Sequence, residues 1–366
     1  MSKMNVGIIG CGNISGIYCK AGKRFANWRV LACADLDVAR AKAKAAEFEI
    51  PIACSTGELL RNPEIEMVIN LTVPKAHAEI TLAAIEHGKH VYGEKPLATT
   101  RQAGRRILEA AQAKGVRVGS APDTFLGGGL QTCRKLIDDG WIGHPVAATA
   151  FMTSHGCESW HPDPDFFYQP GGGPMFDMGP YYLTALVNLV GPIHRVCGSA
   201  GAAFTERRIT SQAKFGTMIK VHTPTHIAGV LDFASGAIGT IITSFDVWAA
   251  NLPRIEIYGT TGTLLVPDPN TFGGPVQVRR AGASEWSTVP LAFGYQDNSR
   301  GLGCADMISA IAHHRPHRAS GDLAYHVLDV MEGFLDAARA AAYVKTPTAL
   351  TRPAPLPMDL RDGEID

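Results

Sequence analysis

Val6-Gly7-Ile8-Ile9-Gly10-Cys11-Gly12-Asn13-Ile14-Ser15-Gly16 is the stretch on which the fold turns. Val6 to Ile9 reads as a strand. The Gly10-x-Gly12 that follows allows a tight turn and lets backbone amides approach a diphosphate at the start of the next helix. Gly10, Gly12, Asn13 and Ile14 are therefore candidate cofactor contacts. The third motif position holds Ser15 rather than glycine, with Gly16 next. Alone, the pattern also describes an ordinary strand-to-helix turn. Asp35 closes the second strand 25 residues after Gly10, near the spacing at which a carboxylate accepts hydrogen bonds from an adenosine ribose. Its plain alternative is an N-cap for a helix starting near Val38. Together the two features favour a dinucleotide. An acid at this position repels a 2′-phosphate, and no arginine follows in Leu36-Asp37-Val38, so NAD is favoured over NADP.

Outward from this turn, the first third of the chain alternates short β-branched runs with alanine-rich helical segments, the pattern of a parallel sheet covered by helices. Strands are predicted at Val6–Ile9, Arg29–Ala34, Met67–Leu71, His90–Tyr92 and Arg117–Gly119. Helices are predicted at Val38–Phe48, Ala76–His87 and Arg101–Lys114, the last two stopped by Gly88 and Gly115. After Ala121-Pro122 the texture changes to strand-like runs: Val146–Met152, His226–Phe233, Ala237–Ser244, Arg254–Tyr258, Thr263–Val266 and Val276–Arg280. Turn residues join several of them as hairpins. The expected division is residues 1–122, an α/β Rossmann domain, and 123–366, an α+β domain with a large, mostly antiparallel sheet for substrate binding and oligomerisation. Helices near Leu130–Asp138, Pro180–Leu189, Cys304–Ala312 and Leu323–Tyr343 are expected on one face of that sheet, and a second subunit on the other. The tail after Pro347 reads as extended.

At 366 residues the chain exceeds what one core usually serves. Its 34 basic residues cancel 34 acidic ones, which leaves no global field to draw a polyanion, so no nucleic-acid partner is expected. Eight scattered cysteines without a Cys-x-x-Cys pair indicate neither a disulfide framework nor a zinc knuckle. The opening residues do not read as a secretory signal, and the most membrane-like stretch, Tyr181 to Val190, is too short to span a bilayer. A cytoplasmic protein without a membrane partner is expected.

Two further motifs carry chemistry. Glu94-Lys95-Pro96 directly follows a strand, at the carboxyl edge of the sheet where open α/β folds bind ligands. A partly desolvated ammonium there polarises, or exchanges a proton with, a substrate hydroxyl; the alternative is a surface lysine before a turn proline. Gly171-Gly172-Gly173-Pro174-Met175-Phe176-Asp177-Met178-Gly179-Pro180-Tyr181 brings a flexible loop close to a ligand. Asp177 and Tyr181 are four residues apart, so at a helix start both point the same way. A carboxylate and a phenol facing one site can hold and deprotonate a sugar hydroxyl; otherwise they are an N-cap and a core aromatic.

These features resemble the Gfo/Idh/MocA family, the group of glucose-fructose oxidoreductase and inositol dehydrogenase. Gly10-x-Gly12, Asp35, Asn70-Leu71-Thr72-Val73-Pro74 with His77, Glu94-Lys95-Pro96 and the glycine loop ending in Asp177 occur in the family's order over the first half of the chain. The resemblance implies an N-terminal Rossmann domain, a C-terminal open-faced sheet and NAD or NADP acting on a sugar or polyol carbon. It adds Thr72, Pro74, His77, Glu94 and Lys95 to the cofactor contacts, and makes Lys95 catalytic, Asp177 an orienting or proton-relaying carboxylate and Glu94 a nicotinamide-ribose contact. It also implies homodimers or homotetramers built through the sheet. Where many members place a histidine, this chain has Tyr181, as glucose-fructose-oxidoreductase-like members do. A cation beside a phenol lowers its reference pKa of about 10, so Tyr181 is expected to accept the proton and Lys95 to tune it. Pro122-Asp123-Thr124-Phe125 departs from the arginine common in the family, so those contacts do not transfer.

Ser154 to Pro162 has the content of a sugar-binding loop, with Trp160 as platform and His161 as a neutral imidazole. Hydride transfer calls for no metal, so His155, Cys157 and Glu158 are not taken as ligands. Asn298, Arg300 and the His313–Arg318 basic run read as solvated surface. The expected function is an NAD-dependent sugar or polyol dehydrogenase using Lys95, Asp177 and Tyr181. Redox-neutral glycoside processing with a retained NAD, or a non-catalytic sugar or nucleotide sensor, are the alternatives.

Overall fold

The computed structural model describes residues 3–347 and 350–366. Thr348 and Ala349, part of the expected extended tail, lie outside the described residues. Chain contacts group into two units, residues 1–128 with 292–325 and 353–366, and residues 129–291 with 326–352. The division is therefore not the linear one at 122/123: two C-terminal segments fold with the N-terminal body.

The first unit is built on strands β1 (Met4–Ile9), β2 (Trp28–Ala34), β3 (Ile52–Cys54), β4 (Met67–Asn70), β5 (His90–Gly93) and β6 (Val118–Ser120), alternating with α1 (Ser15–Arg24), α2 (Val38–Phe48), α3 (Thr56–Arg61), α4 (His77–Glu86) and α5 (Arg101–Lys114). The sheet order is β3-β2-β1-β4-β5-β6, all parallel. That is the doubly wound order in which ligands bind outside the carboxyl strand ends. The strands read as near-continuous apolar runs because helices cover both faces: Val6, Ile8, Val68, Ile69 and Val91 are fully buried.

The second unit begins with α6 (Gly128–Asp138) and β7 (Pro145–Thr153), followed by α7 (Gly173–Asp177) and α8 (Gly179–Val190). Strands β8 (Ile193–Gly201), β9 (Glu206–Arg208), β10 (Met218–Lys220), β11 (His226–Phe233), β12 (Ile238–Ser244), β13 (Ile255–Gly259), β14 (Gly262–Val266), β15 (Val276–Arg280) and β16 (Ser287–Val289) follow. After α9 (Leu302–Ala312) and α10 (Gly321–Ala340), the short β17 (Val344–Lys345) completes a nine-stranded sheet ordered β16-β15-β14-β13-β7-β12-β11-β8-β17. Its pairs are antiparallel except β7 with β12. β9 and β10 form a separate hairpin.

The strand β8 escaped the sequence reading because its glycine and alanine content hides the pattern. The reason for that content is packing. Phe334 of α10 lies against the sheet where Gly198 of β8 pairs with Gly229 of β11, and a Cβ would stand 3.2 Å from its ring on Gly198 and 2.3 Å on Gly229. The helix Leu302–Ala312 is corrected more substantially. It does not cover the second sheet but packs against β6 in the first unit. Its start is fixed by Asp123, which accepts the N–H groups of Gly301 and Gly303 at 2.8 and 3.0 Å, and Asn27 donates to the Ala305 carbonyl.

Candidate active site

Gly10 adopts φ +102°, and a Cβ there would stand 2.6 Å from the Leu71 carbonyl, so only glycine makes this turn. Gly12 has open space around it and Ile14 precedes α1 without a side-chain cap. Ser15, buried in the third motif position, donates its hydroxyl to the Gly12 carbonyl at 2.7 Å and holds the turn. The closely packed glycine is the next one, Gly16, beside the Phe48 ring. An open turn leading into an uncapped helix N-terminus fits a diphosphate.

Asp35 is not an N-cap; Asp37 is, accepting from the Ala39 N–H. The Asp35 carboxylate instead accepts from the N–H groups of Cys11 at 2.8 Å and Asp37 at 3.0 Å. This fixes an acid at the end of β2, where a ribose is read. An arginine does reach it, from outside the Leu36–Val38 window: the Arg40 guanidinium lies 3.6 Å away.

At the end of β4, buried Asn70 ties the next loop together. Its amide donates to the His77 carbonyl and the Thr81 hydroxyl, and its oxygen accepts from the N–H and hydroxyl of Thr72. Pro74 opens the short turn that leads into α4. His77 is buried between two carbonyls, Nδ1 at 2.7 Å from Pro96 and Nε2 at 2.9 Å from Thr72. Burial lowers its pKa against the pull of those carbonyls. It is thus a strut between the loops after β4 and β5, not an exposed contact. The second loop carries Glu94 and Lys95, both half-buried. Glu94 accepts from the Tyr18 hydroxyl at 2.8 Å and from the Lys95 N–H at 3.1 Å. Gly10, Gly12, Asn13, Ile14, Asp35, Thr72, Pro74, Glu94 and Lys95 therefore share the carboxyl edge of one parallel sheet and together fit a dinucleotide, with His77 buried and tying two of their loops together.

Asp123 was missed as a contributor to this edge. It is 1% exposed, and burial lifts its carboxyl to about 6 against the Gly301 and Gly303 N–H bonds that favour the charged form. The Glu94 carboxylate adds to the rise. The buried Tyr92 hydroxyl lacks a hydrogen-bond partner among the described residues, and burial drives it well above the normal phenol range.

In the second unit, Asp177 ends α7 and Tyr181 lies in the first turn of α8, with Met178 between the helices. The four-residue spacing therefore crosses a break instead of running along one helix. Asp177 is half-buried and Tyr181 buried. In the loop of Trp160 and His161, burial first, then the Glu158 and Asp177 carboxylates, raises the buried Cys157 thiol. Trp160 is 65% exposed and meets His161 edge-on, and His161 in turn meets Phe166 and Phe167. The Asp163 N–H donates to His161 Nδ1, which places the ring proton on Nε2.

Arg207 was also missed. Buried at 5%, it contacts Glu158 at 3.3 Å and Asp246 at 2.8 Å and donates to the Phe245 carbonyl. It braces His155 and Glu158 for packing, and His155 stacks on Trp248 at 3.4 Å.

Two family models cover most of the chain. One, described as an oxidoreductase family with an NAD-binding Rossmann fold, matches residues 4–121, and the GFO/IDH/MocA C-terminal domain matches 130–265. A 1,5-anhydro-D-fructose reductase of Ensifer adhaerens is 28% identical over 266 residues, 71% of this chain and 74% of that one. An inositol 2-dehydrogenase of Ralstonia nicotianae is 33% identical over 149 residues, 39% of this chain. The chain spans less than half the length of some curated relatives, 44% for that dehydrogenase. A levoglucosan dehydrogenase solved with NADH and L-sorbose superposes with a TM-score of 0.80 over 94% of this chain and 99% of the other, at 22% identity, a likeness of fold. Among the described residues no helix is long and apolar enough to cross a membrane.

Proposed function

Because the chain belongs to the GFO/IDH/MocA family of NAD-binding oxidoreductases, we propose that it is an NAD-dependent dehydrogenase of a sugar or polyol. It takes an aldose to a lactone, or a polyol or glycoside to a keto-sugar. The observation that carries this reading is the placement of Lys95 on the same carboxyl edge as the Gly10–Gly12 turn and Asp35. Bound NAD supplies the acceptor for the hydrogen and electron pair that leave the substrate carbon.

The protein's own residues handle the proton and the orientation. Glu94, held by Tyr18, and the loop strutted by His77 fix the backbone on which Lys95 is carried. Tyr181 accepts the hydroxyl proton, Lys95 polarises the oxygen as charge develops on it, and Asp177 holds a neighbouring hydroxyl. Trp160 and His161 line the sugar. The protein works in the cytoplasm as a homodimer or homotetramer joined through the nine-stranded sheet.

The test is nicotinamide absorbance while the protein is offered NAD or NADP with aldoses, inositols and glycosides. Reduction of NAD by one stereochemical class is the expected result. Tight NAD binding with silence across the panel would overturn the reading.

A further inference from the structure

The loop between β7 and α7 and the β9–β10 hairpin line a half-open cavity of about 260 Å³ that the proposed chemistry does not use. Its lining includes the apolar Ile219, which is buried, and the more exposed Phe166 and Met218. Its polar lining is Asp163 and Lys214, paired at 2.6 Å, with Asp165. The walls are held in place. Ser211 donates its hydroxyl to the His161 carbonyl at 2.7 Å, and the Thr210 and Ser211 N–H groups donate to the Glu158 carbonyl at 3.0 and 2.8 Å. Phe166 stacks on Phe167 at 4.0 Å, so the aromatic side is braced from the core.

An aromatic ring and a thioether together with two carboxylates match a pyranose or polyol: C–H faces meet the apolar groups and hydroxyls donate to the acids. Two carboxylates against one ammonium disfavour a phosphate or other anion. The volume falls below the roughly 300–1,000 Å³ of drug-sized sites, which suits one ring.

The cavity shares a wall with the catalytic segment. The turn Asp165–Tyr168 packs on α7, whose last residue is Asp177. Gly172, just before α7, donates its N–H to Gln169 at 2.8 Å, and a Cβ there would stand 2.5 Å from the Phe166 carbonyl. We propose that this cavity is a second glycosyl subsite, so that the substrate is a glycoside or disaccharide whose reacting ring is handled by Asp177 and whose neighbouring ring rests on Phe166 between Asp165 and Met218. The inference rests on the dehydrogenase reading above.

Two measurements on the full-length protein test it. First, kcat/KM is compared for a single-ring substrate and for disaccharides carrying the same ring, cellobiose, maltose and lactose among them, in wild type, Asp165→Asn and Phe166→Ala. A preference for one disaccharide of roughly tenfold, the scale of one pocket contact, is expected in wild type and is lost in both variants. Equal kcat/KM for one and two rings in wild type overturns the subsite, as does a preference that survives Asp165→Asn, the variant least able to disturb folding. Second, saturation-transfer NMR follows binding of the same disaccharides without turnover. If no sugar is oxidised, the dehydrogenase reading falls by itself. The cavity then stands if transfer reaches one ring of a disaccharide in wild type and disappears in the variants, and falls if transfer is absent or unchanged.

Discussion

The Asp35 carboxylate accepts the Cys11 N–H at 2.8 Å, so the acid that ends β2 also holds the glycine turn that follows β1. One side chain therefore shapes the glycine turn and, in the proposed role, also reads the ribose. Removing it does two things at once. Arg40, 3.6 Å from that carboxylate, is left without its partner and able to meet a 2′-phosphate. The expected result for Asp35→Ser is a fall of roughly tenfold or more in kcat/KM with NAD and a gain with NADP. Steady-state kinetics with the two cofactors decide it. A variant that loses both equally would show that the bond to Cys11, and not the charge, sets cofactor choice. Asp35→Ser with Arg40→Ala separates the two effects, because the gain with NADP should vanish in the pair.

The proposed catalytic roles separate by substitution. Lys95→Ala should lower kcat by about a thousandfold while NAD still quenches or enhances protein fluorescence, since its loss removes electrostatic stabilisation at the reacting oxygen and not the nucleotide turn. Tyr181→Phe should lower kcat by roughly a hundredfold, the scale of a lost general base. Normal turnover in Tyr181→Phe alongside an inactive Lys95→Ala would move the proton acceptor to lysine.

Two buried groups contribute to stability against pH with opposite sign. His326 is fully buried, its Nε2 accepts the Ile193 N–H, and burial lowers its pKa to about 4. The unfolded imidazole titrates near 6.5, so the folded state binds fewer protons over this window. Stability is complete above about pH 6.5 and is lost as pH falls toward 4, by about 3 kcal/mol. Asp123 acts in reverse. Its folded carboxyl lies at about 6 against roughly 3.9 unfolded, so its contribution is present below about pH 4 and is lost as pH rises through 6, by about 3 kcal/mol. The two nearly cancel between pH 4 and 6. His326→Gln keeps an acceptor for Ile193 without the titration, and Asp123→Asn keeps one for Gly301 and Gly303. Urea denaturation at several pH values should show His326→Gln gaining stability relative to wild type in acid, and Asp123→Asn gaining above pH 6. Parallel curves for wild type and His326→Gln would remove His326 from the acid limb.

The first sheet was legible in the sequence because its strands are buried on both faces and read as apolar runs, while Gly10, Gly88 and Gly115 punctuate them. What stayed hidden depends on partners far along the chain. Asp123 looked like a break in a family pattern; its role is visible only once Gly301 and Gly303 come to it from the far end of the sequence. Arg207 carries no motif, and its meaning lies in Glu158 and Asp246. Arg40 stands only two residues beyond Leu36-Asp37-Val38, but its closeness to Asp35 appears only in the folded helix. The helix α3 was missed although its signal was local: Ser55 and Glu58 form a capping box, a pattern short enough to read from sequence. Asp177 and Tyr181 were recognised individually, yet Met178 places them on two helices, and four-residue spacing could not reveal that break.

The proposed assembly through the nine-stranded sheet makes a testable demand on one row of its side chains. Register pairs Cys197 with Val230, Val230 with Thr240, Thr240 with Thr149, and Thr149 with Glu256, so these side chains form one row across five strands. Their sequence neighbours Val196, Leu231, Ile241, Ala148 and Ile255 are buried on the opposite face. The row mixes small, β-branched and polar groups, with Ile238 and Ile242 in the adjacent positions of β12, as in a surface that packs against its own copy with few unpaired charges. Val230→Arg places a long cation in the middle of that row. Sedimentation at micromolar concentration should show the wild type as a dimer or tetramer and the variant as a monomer with unchanged far-ultraviolet circular dichroism. A wild type that sediments as a monomer would remove the assembly. A variant that remains associated would place the interface elsewhere than on this row, since an unpaired arginine buried between two sheets costs several kcal/mol.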